Sequence, residues 1–207
     1  MFITLEGGDS VGKTTQATLL EDWLTGEGRD VVRTREPGGT PLGVEVRRLL
    51  LHGGDEIGAV DPRAEALLYA ADRAQHVARV VRPALARGAV VLQDRYIDSS
   101  LAYQGAGRVL DVEEVRQISE WAVGGLWPDL TVLFDLAPEV AATRRASRED
   151  DRLESERQEF HEAVRAAYRE LAAASPERFL VVEAAGTPDE IHAVVRASVA
   201  ERLAARG

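Results

Sequence analysis

The chain has 207 residues, a length that suits one domain with a sizeable buried core. It has no cysteine, which excludes disulfides, thiolate metal sites and cysteine nucleophiles, and no apolar run long enough to span a bilayer. Its formal net charge is −10, too acidic to coat a nucleic-acid polymer, although cations that converge locally can still hold a small polyanion.

The first residues carry no basic segment ahead of their apolar run, so no secretory signal is expected and the cytoplasm is the expected location. Phe2 to Glu6 reads as a strand that runs into Gly7 and Gly8. Ala17, Leu20, Trp23 and Leu24 give residues 13–27 a helical period that ends at Gly26 and Gly28. Val31-Val32 reads as a second strand, residues 35–40 as a loop, and a short helix follows through Leu51. Asp61 and Pro62 are an N-cap and an N1 proline. The helix they start extends to about Ala86, and Pro83 is expected to kink or end it.

Ala89 to Gln93 is a third strand, closed by Asp94, and Asp111 caps a helix over residues 112–123. Leu130 to Phe134 is a fourth strand, and Pro138 starts a helix that runs into the charged stretch 144–152. A long helix spans about 154–174, Phe179 to Val182 is a fifth strand, and residues 187–204 form a closing helix. Short continuous apolar strands alternating with helices predict an α/β fold: a five-stranded parallel sheet with helices on both faces.

Gly7-Gly8-Asp9-Ser10-Val11-Gly12-Lys13-Thr14 fits the phosphate-loop pattern directly after a strand and before a helix, with Thr15 next in the helix. The glycines let successive N–H groups point at phosphate oxygens, and the helix N-terminus adds its own. Lys13, the only lysine in the chain, falls on the position that demands one, for the β- and γ-phosphates. The Thr14 hydroxyl is a candidate Mg²⁺ ligand. Asp94 at a strand end beside such a loop is a candidate for a Mg²⁺- or phosphate-linked role. A GTPase is excluded, because its base-reading Asn-Lys-x-Asp needs a second lysine.

The chain resembles the bacterial thymidylate kinases from its first strand to about residue 170. Glu6 to Asp9, Thr34-Arg35-Glu36-Pro37-Gly38-Gly39-Thr40, Ala71-Asp72-Arg73-Ala74, Asp94-Arg95-Tyr96 and Tyr103-Gln104-Gly105 carry the resemblance. It implies the P-loop nucleoside monophosphate kinase fold with a lid at about 144–152, one domain over 1–207, and a homodimer. It implies direct in-line phosphoryl transfer from MgATP to dTMP, giving dTDP for dTTP supply, with no nucleic-acid polymer or membrane as partner. A sister enzyme with another acceptor, or a nucleotide-binding regulator with little turnover, would be the rival readings.

The resemblance also distributes roles. Asp9 would bond the acceptor's 3′-hydroxyl or tie Mg²⁺ through water. Arg35, Arg95 and, more weakly, Arg47 would grip the acceptor phosphate, with Pro37 beside them. Tyr69 would stack on thymine, and Arg73, one helical turn on, would donate to a base carbonyl. Ser100 and Gln104 would contact the base edge, and Tyr103 would crowd the sugar's 2′ position. Residues 8–11 hold no arginine, so the lid must supply the cation for the transferring phosphoryl. Arg145, Arg148 and Arg152 are the candidates, Arg148 foremost as catalytic residue. One departure stands out: Ser10 occupies a place usually held by glycine, and it would be strained if that place needs a positive φ.

Overall fold

In a computed structural model, residues 1–52, 57–108, 110–145 and 152–206 are described. Five strands, β1 (Phe2–Gly7), β2 (Val31–Arg35), β3 (Val90–Asp94), β4 (Leu130–Asp135) and β5 (Phe179–Glu183), form one sheet in the order β2-β3-β1-β4-β5. All neighbouring pairs are parallel. The register sets Leu5 and Arg35 both beside Asp94, so the C-terminal ends of β1, β2 and β3 lie level.

Side-chain alternation splits the core into two layers. On one face Ile3, Leu5, Val90, Leu92, Val132 and Phe134 pack with Leu20 and Leu24 of α1 (Lys13–Gly26). Val195 and Val199 of the closing helix α9 (Pro188–Ala204) belong to the same layer. On the other face Phe2 and Val91 meet Val77, Val81, Tyr96 and Ile97. Leu133 joins Tyr69, Tyr103, Phe160, Val164 and Tyr168 there. These last residues come from α3 (Pro62–His76), from the turn that follows α5 (Ile97–Ser100), and from α8 (Gln158–Ala174). Helix α2 (Pro41–His52) adds Val46 and Leu50.

The expected elements form, with four differences. Strand β2 runs three residues past Val32, to Arg35, because β3 pairs with it all the way to Asp94. The long helix begins at Gln158 rather than near 154, since residues 152–156 are turns and bends anchored by Arg152. Around Pro83 the helix departs from α geometry without an abrupt stop: a π turn at Val77–Val81, in which the Arg82 N–H reaches back to the Val77 carbonyl, precedes α4 (Arg82–Ala86), which ends three residues past the proline. A second π turn, Leu101–Gly107, continues α5, so Tyr103 and Gln104 lie on wider turns than an α-helix provides. Asp111 caps α6 (Val112–Val123) as expected, and α7 (Pro138–Arg145) leads into the charged stretch. No described helix is long and apolar enough to cross a membrane. The parallel sheet with helices around it is consistent with the P-loop nucleoside monophosphate kinase fold.

Candidate active site

Beyond the ends of β1, β2 and β3 lies a cavity of about 430 Å³. Its wall carries six cationic side chains, Lys13, Arg35, Arg47, Arg73, Arg95 and Arg144, against the carboxylates of Asp9, Glu36, Asp94 and Glu154. An acidic protein thus concentrates cations in one concave place, as binding a small polyanion requires.

The phosphate loop forms one end. Gly7 has φ +130°, and a Cβ there would lie 2.5 Å from the Phe134 carbonyl oxygen, so strand β4 leaves room only for glycine. Gly12, at φ +99°, turns the chain into α1. Ser10 does adopt the left-handed region, at φ 60°, and carries the strain its substitution for glycine predicts, about 1–2 kcal/mol. The Lys13 ammonium is buried and donates to the carbonyls of Gly7 (3.2 Å) and Gly8 (2.5 Å). Burial, and then Arg95, lowers its pKa against the opposing pull of Asp94, Asp9 and Glu6.

Arg95 sits just past β3 and is also left-handed, at φ 66°. Its guanidinium donates to the Gly7 carbonyl (3.1 Å), Ser99 (3.2 Å), the Tyr103 hydroxyl (3.1 Å) and both ion-pairs and hydrogen-bonds Asp9. The Tyr103 hydroxyl donates to the other Asp9 oxygen at 3.0 Å. Burial opposes ionisation of Asp9, but Arg95, Lys13 and the Tyr103 hydroxyl together outweigh it and hold its carboxyl at about 2. Glu6 lies wholly buried beneath this cluster. It accepts from the Tyr96 N–H (2.7 Å), Ser99 (2.6 Å) and Tyr168 (2.9 Å), and Ser99 in turn touches Arg95. Burial first, then the nearby Asp98 carboxylate, pushes Glu6 up to about 7.

The opposite wall is built by α3 and the α5 turn. Four of the five N–H groups of Arg73 go to Glu36 (2.8 Å), Ser119 (3.2 Å), the Tyr96 carbonyl (3.1 Å) and Ser100 (3.0 Å). Glu36 is held on its other oxygen by His76, whose second nitrogen meets Thr34. Gln104 donates to the buried Glu65 at 2.9 Å. Arg47 reaches the Pro37 carbonyl at 3.2 Å, following a cis Glu36-Pro37 peptide, and Arg35 stands exposed at the tip of β2.

Of the residues singled out from sequence, Asp9, Ser10, Gly12, Lys13, Thr14, Arg35, Pro37, Arg47, Tyr69, Arg73, Asp94, Arg95, Ser100, Tyr103 and Gln104 border this cavity. Gly7, Gly8 and Val11 border a smaller one behind the loop, and Thr15 is exposed on α1 away from both. Arg152 does not border the cavity: it donates to the Leu50 carbonyl (2.7 Å) and pairs with Glu65. Arg148 and the side chain of Arg145 lie outside the described residues. Leu51, Ser99, Arg144, Leu153 and Glu154 also line the wall without a motif to mark them, and Glu36 lines it as more than part of a motif. The pairing of buried Glu36 with Arg73 leaves no local signal, because the two are distant in the chain.

A thymidylate kinase family model matches residues 5–195. A thymidylate kinase of Leifsonia xyli is 63% identical over 205 residues, covering 98% of this chain and 96% of its own. One of Clavibacter michiganensis is 62% identical over 207 residues, covering 99% and 97%. One from a Synechococcus strain is 54% identical over 205 residues, covering 99% and 98%. With these likenesses running the length of a chain whose phosphate loop and second wall face one cavity, the chain belongs to the thymidylate kinase family.

Proposed function

We propose that this chain transfers the γ-phosphoryl of ATP directly to dTMP, giving dTDP for dTTP supply. The observation that carries the reading is the single cavity: a phosphate loop with Lys13 at one end, and Tyr69, Arg73, Ser100, Tyr103 and Gln104 along the other wall. Such a space holds two reactants at once, and holding them aligned is the larger part of phosphoryl-transfer catalysis. The acceptor phosphate is already ionised near neutrality, so no general base is needed.

Lys13 takes the β- and γ-phosphates, while Arg95, Arg35 and Arg47 take the acceptor phosphate. Arg95 is held in place by Asp9, Tyr103 and Ser99 before any ligand arrives, which lowers the entropic cost of using it. Asp9 has one oxygen on Arg95 and the other on Tyr103, and its remaining lone pairs serve the 3′-hydroxyl or a water on Mg²⁺. Tyr69 stacks on the base, Arg73 and Ser100 meet its edge, and the lid arginines Arg145 and Arg148 neutralise the transferring group.

The residues present fit Mg²⁺. Asp94 Oδ1 is buried with no hydrogen-bond partner and shares the cavity wall with Thr14. Among the described residues no group of three or more acids and histidines is placed to bind a metal, as suits an ion held mainly by phosphates and water. Thr14 and Asp94 would hold it, and bound Mg²⁺ would neutralise charge on the β- and γ-phosphates. The chain acts as one domain in the cytoplasm and pairs as a homodimer, which the exposed Leu67 and Trp121 on α3 and α6 support.

The test is turnover of the purified chain with MgATP and dTMP, dUMP, UMP or CMP. The highest kcat/KM is expected with dTMP. Turnover of none of them, or a preference for CMP, would overturn the reading.

A further inference from the structure

Glu65, on the first turn of α3, has a side chain with no exposure to solvent, yet it touches no part of the cavity surface. Three side chains converge on it. Arg152 pairs with one oxygen, Arg108 reaches both (3.4 and 3.5 Å), and Gln104 Nε2 donates to Oε1 at 2.9 Å. Two arginines on one carboxylate form an ordinary structural network. The amide is the unusual member, because Gln104 also borders the cavity wall where the base of the acceptor is read.

An amide has a donor end and an acceptor end, and which end faces a ligand is set by what holds the other. An ionised carboxylate only accepts, so it can take Nε2 but never Oε1. Burial opposes ionisation of Glu65, but the hydrogen bonds from Arg152 and Gln104 and the charge of Arg108 outweigh it and keep its carboxyl below the usual range. With one Nε2–H held by Glu65, the amide cannot turn its Oε1 toward that carboxylate, so Oε1 stays on the side where it can accept from a ligand in the cavity.

We infer that Glu65 is a specificity-determining positioning residue: it locks the Gln104 amide so that the pocket presents an acceptor to the base edge. The inference rests on the proposed function and deepens it. An acceptor at that place suits a pyrimidine whose ring nitrogen N3 carries a proton, as thymine and uracil do. It opposes cytosine, whose N3 is itself a lone pair. The lock thereby rejects one class of pyrimidine by setting two acceptors against each other, a stronger device than any missing methyl contact.

The experiment compares kcat/KM for dTMP and dCMP in wild type, Glu65→Gln, Gln104→Leu and the double variant. A neutral amide at 65 can donate as well as accept, so the Gln104 amide becomes free to turn. Glu65→Gln is expected to lower the dTMP-to-dCMP ratio roughly ten- to a hundredfold, the scale of one mismatched buried hydrogen bond. In the Gln104→Leu background the same change is expected to leave the ratio where it is. KM for ATP should hold in all four. An unchanged ratio in Glu65→Gln would overturn the inference, as would an equal fall with Leu at 104, which would mean that the effect does not run through the amide. Should Glu65→Gln unfold because Arg108 and Arg152 lose their partner, Glu65→Gln with Arg152→Gln removes the opposite charge too. Both substrates use the same lid, so the ratio is read in the same way. A wild type that turns over neither nucleotide takes down the functional reading itself, whereas a wild type that favours dTMP with an insensitive ratio takes down only the lock.

Discussion

The two ends of the cavity are built on different plans. The phosphate loop is one unbroken stretch, Gly7 to Thr14, whose shape follows from its own glycines and from the start of α1. The opposite wall is assembled from β2, α2, α3, the α5 turn and the residues before α8, segments far apart in the chain. On the proposed function the loop would bind with backbone N–H groups, which cannot wander, and the wall with long side chains, which must be held. Buried carboxylates hold them: Glu36 on Arg73, Glu65 on Gln104, and Glu6 on the Ser99 that supports Arg95. A local site needs residues of the right kind, whereas a non-local one needs a second set behind them.

The sharpest break in this comparison comes at the loop. Lys13→Ala should leave the fold intact, since among the described residues the ammonium's hydrogen bonds go to two carbonyls of its own loop. It should lower kcat by several orders of magnitude, as loss of a charge on the transferring phosphoryl does. Circular dichroism and a coupled turnover assay check the two halves. Near-normal turnover would remove the loop from the mechanism.

The wall should fail the other way, through stability. Glu36→Gln leaves Arg73 buried with its ion-pair partner gone, and breaking a pair of this kind costs about 3–5 kcal/mol. Urea unfolding should show it as a fall in midpoint, together with a weaker KM for dTMP and little change in KM for ATP. A variant as stable as wild type would show that Arg73 is held by Ser100, Ser119 and the Tyr96 carbonyl alone.

That contrast explains what could be read from the sequence. The sheet, its five strands and the phosphate loop are legible because each rests on a run of neighbours: apolar strands, a helical period, a motif in its place. Lys13, Thr14, Arg95 and Tyr103 were legible as site residues because they stand in such motifs, and all border the cavity. The supporting roles of Glu65 and Ser99 are not legible, because nothing near them in the chain marks a side chain that will meet its partners dozens of residues away, and Glu6 is legible only as part of a motif. Arg152 shows the same limit: its place in a charged run marks it as a candidate lid cation, and nothing nearby in the chain marks its ion pair with the distant Glu65. The two π turns, Val77–Val81 and Leu101–Gly107, are not legible because apolar spacing does not separate a widened turn from an α-helical one.

A pH experiment sharpens the comparison where the two plans meet, at Asp9. Its carboxyl lies at about 2 in the folded chain against an ordinary 3.8. A depressed folded value contributes stability that is fully present above the ordinary value and is lost as pH falls through the folded one. The contribution is about 2 kcal/mol. The stability difference between wild type and Asp9→Asn should therefore be constant from pH 7 to about 5 and shrink progressively below pH 4. Equal slopes for the two proteins below pH 4 would mean that Arg95 and Tyr103 do not hold Asp9 ionised in solution.

The smallest effect asks whether Tyr103 belongs to the wall as a shape or as a hydrogen bond. Its ring meets Phe160 and Tyr168 edge-on at 5.9 and 6.4 Å and lies under Arg95 at 4.9 Å, while its hydroxyl bonds Asp9 and Arg95. If the ring excludes a 2′-hydroxyl, Tyr103→Phe should keep the preference for dTMP over its ribo counterpart, because the ring stays where those contacts place it. Tyr103→Ala should narrow the preference by about 1–3 kcal/mol, the usual worth of one steric contact in a pocket. The hydroxyl should show itself separately: Tyr103→Phe loses one bond to Asp9 and one to Arg95, so kcat should fall modestly with both sugars alike. Competition assays with the two nucleotides at fixed MgATP measure both quantities. If Tyr103→Phe narrows the sugar preference as much as Tyr103→Ala does, discrimination runs through the Asp9–Arg95 pair, and the ring is only packing.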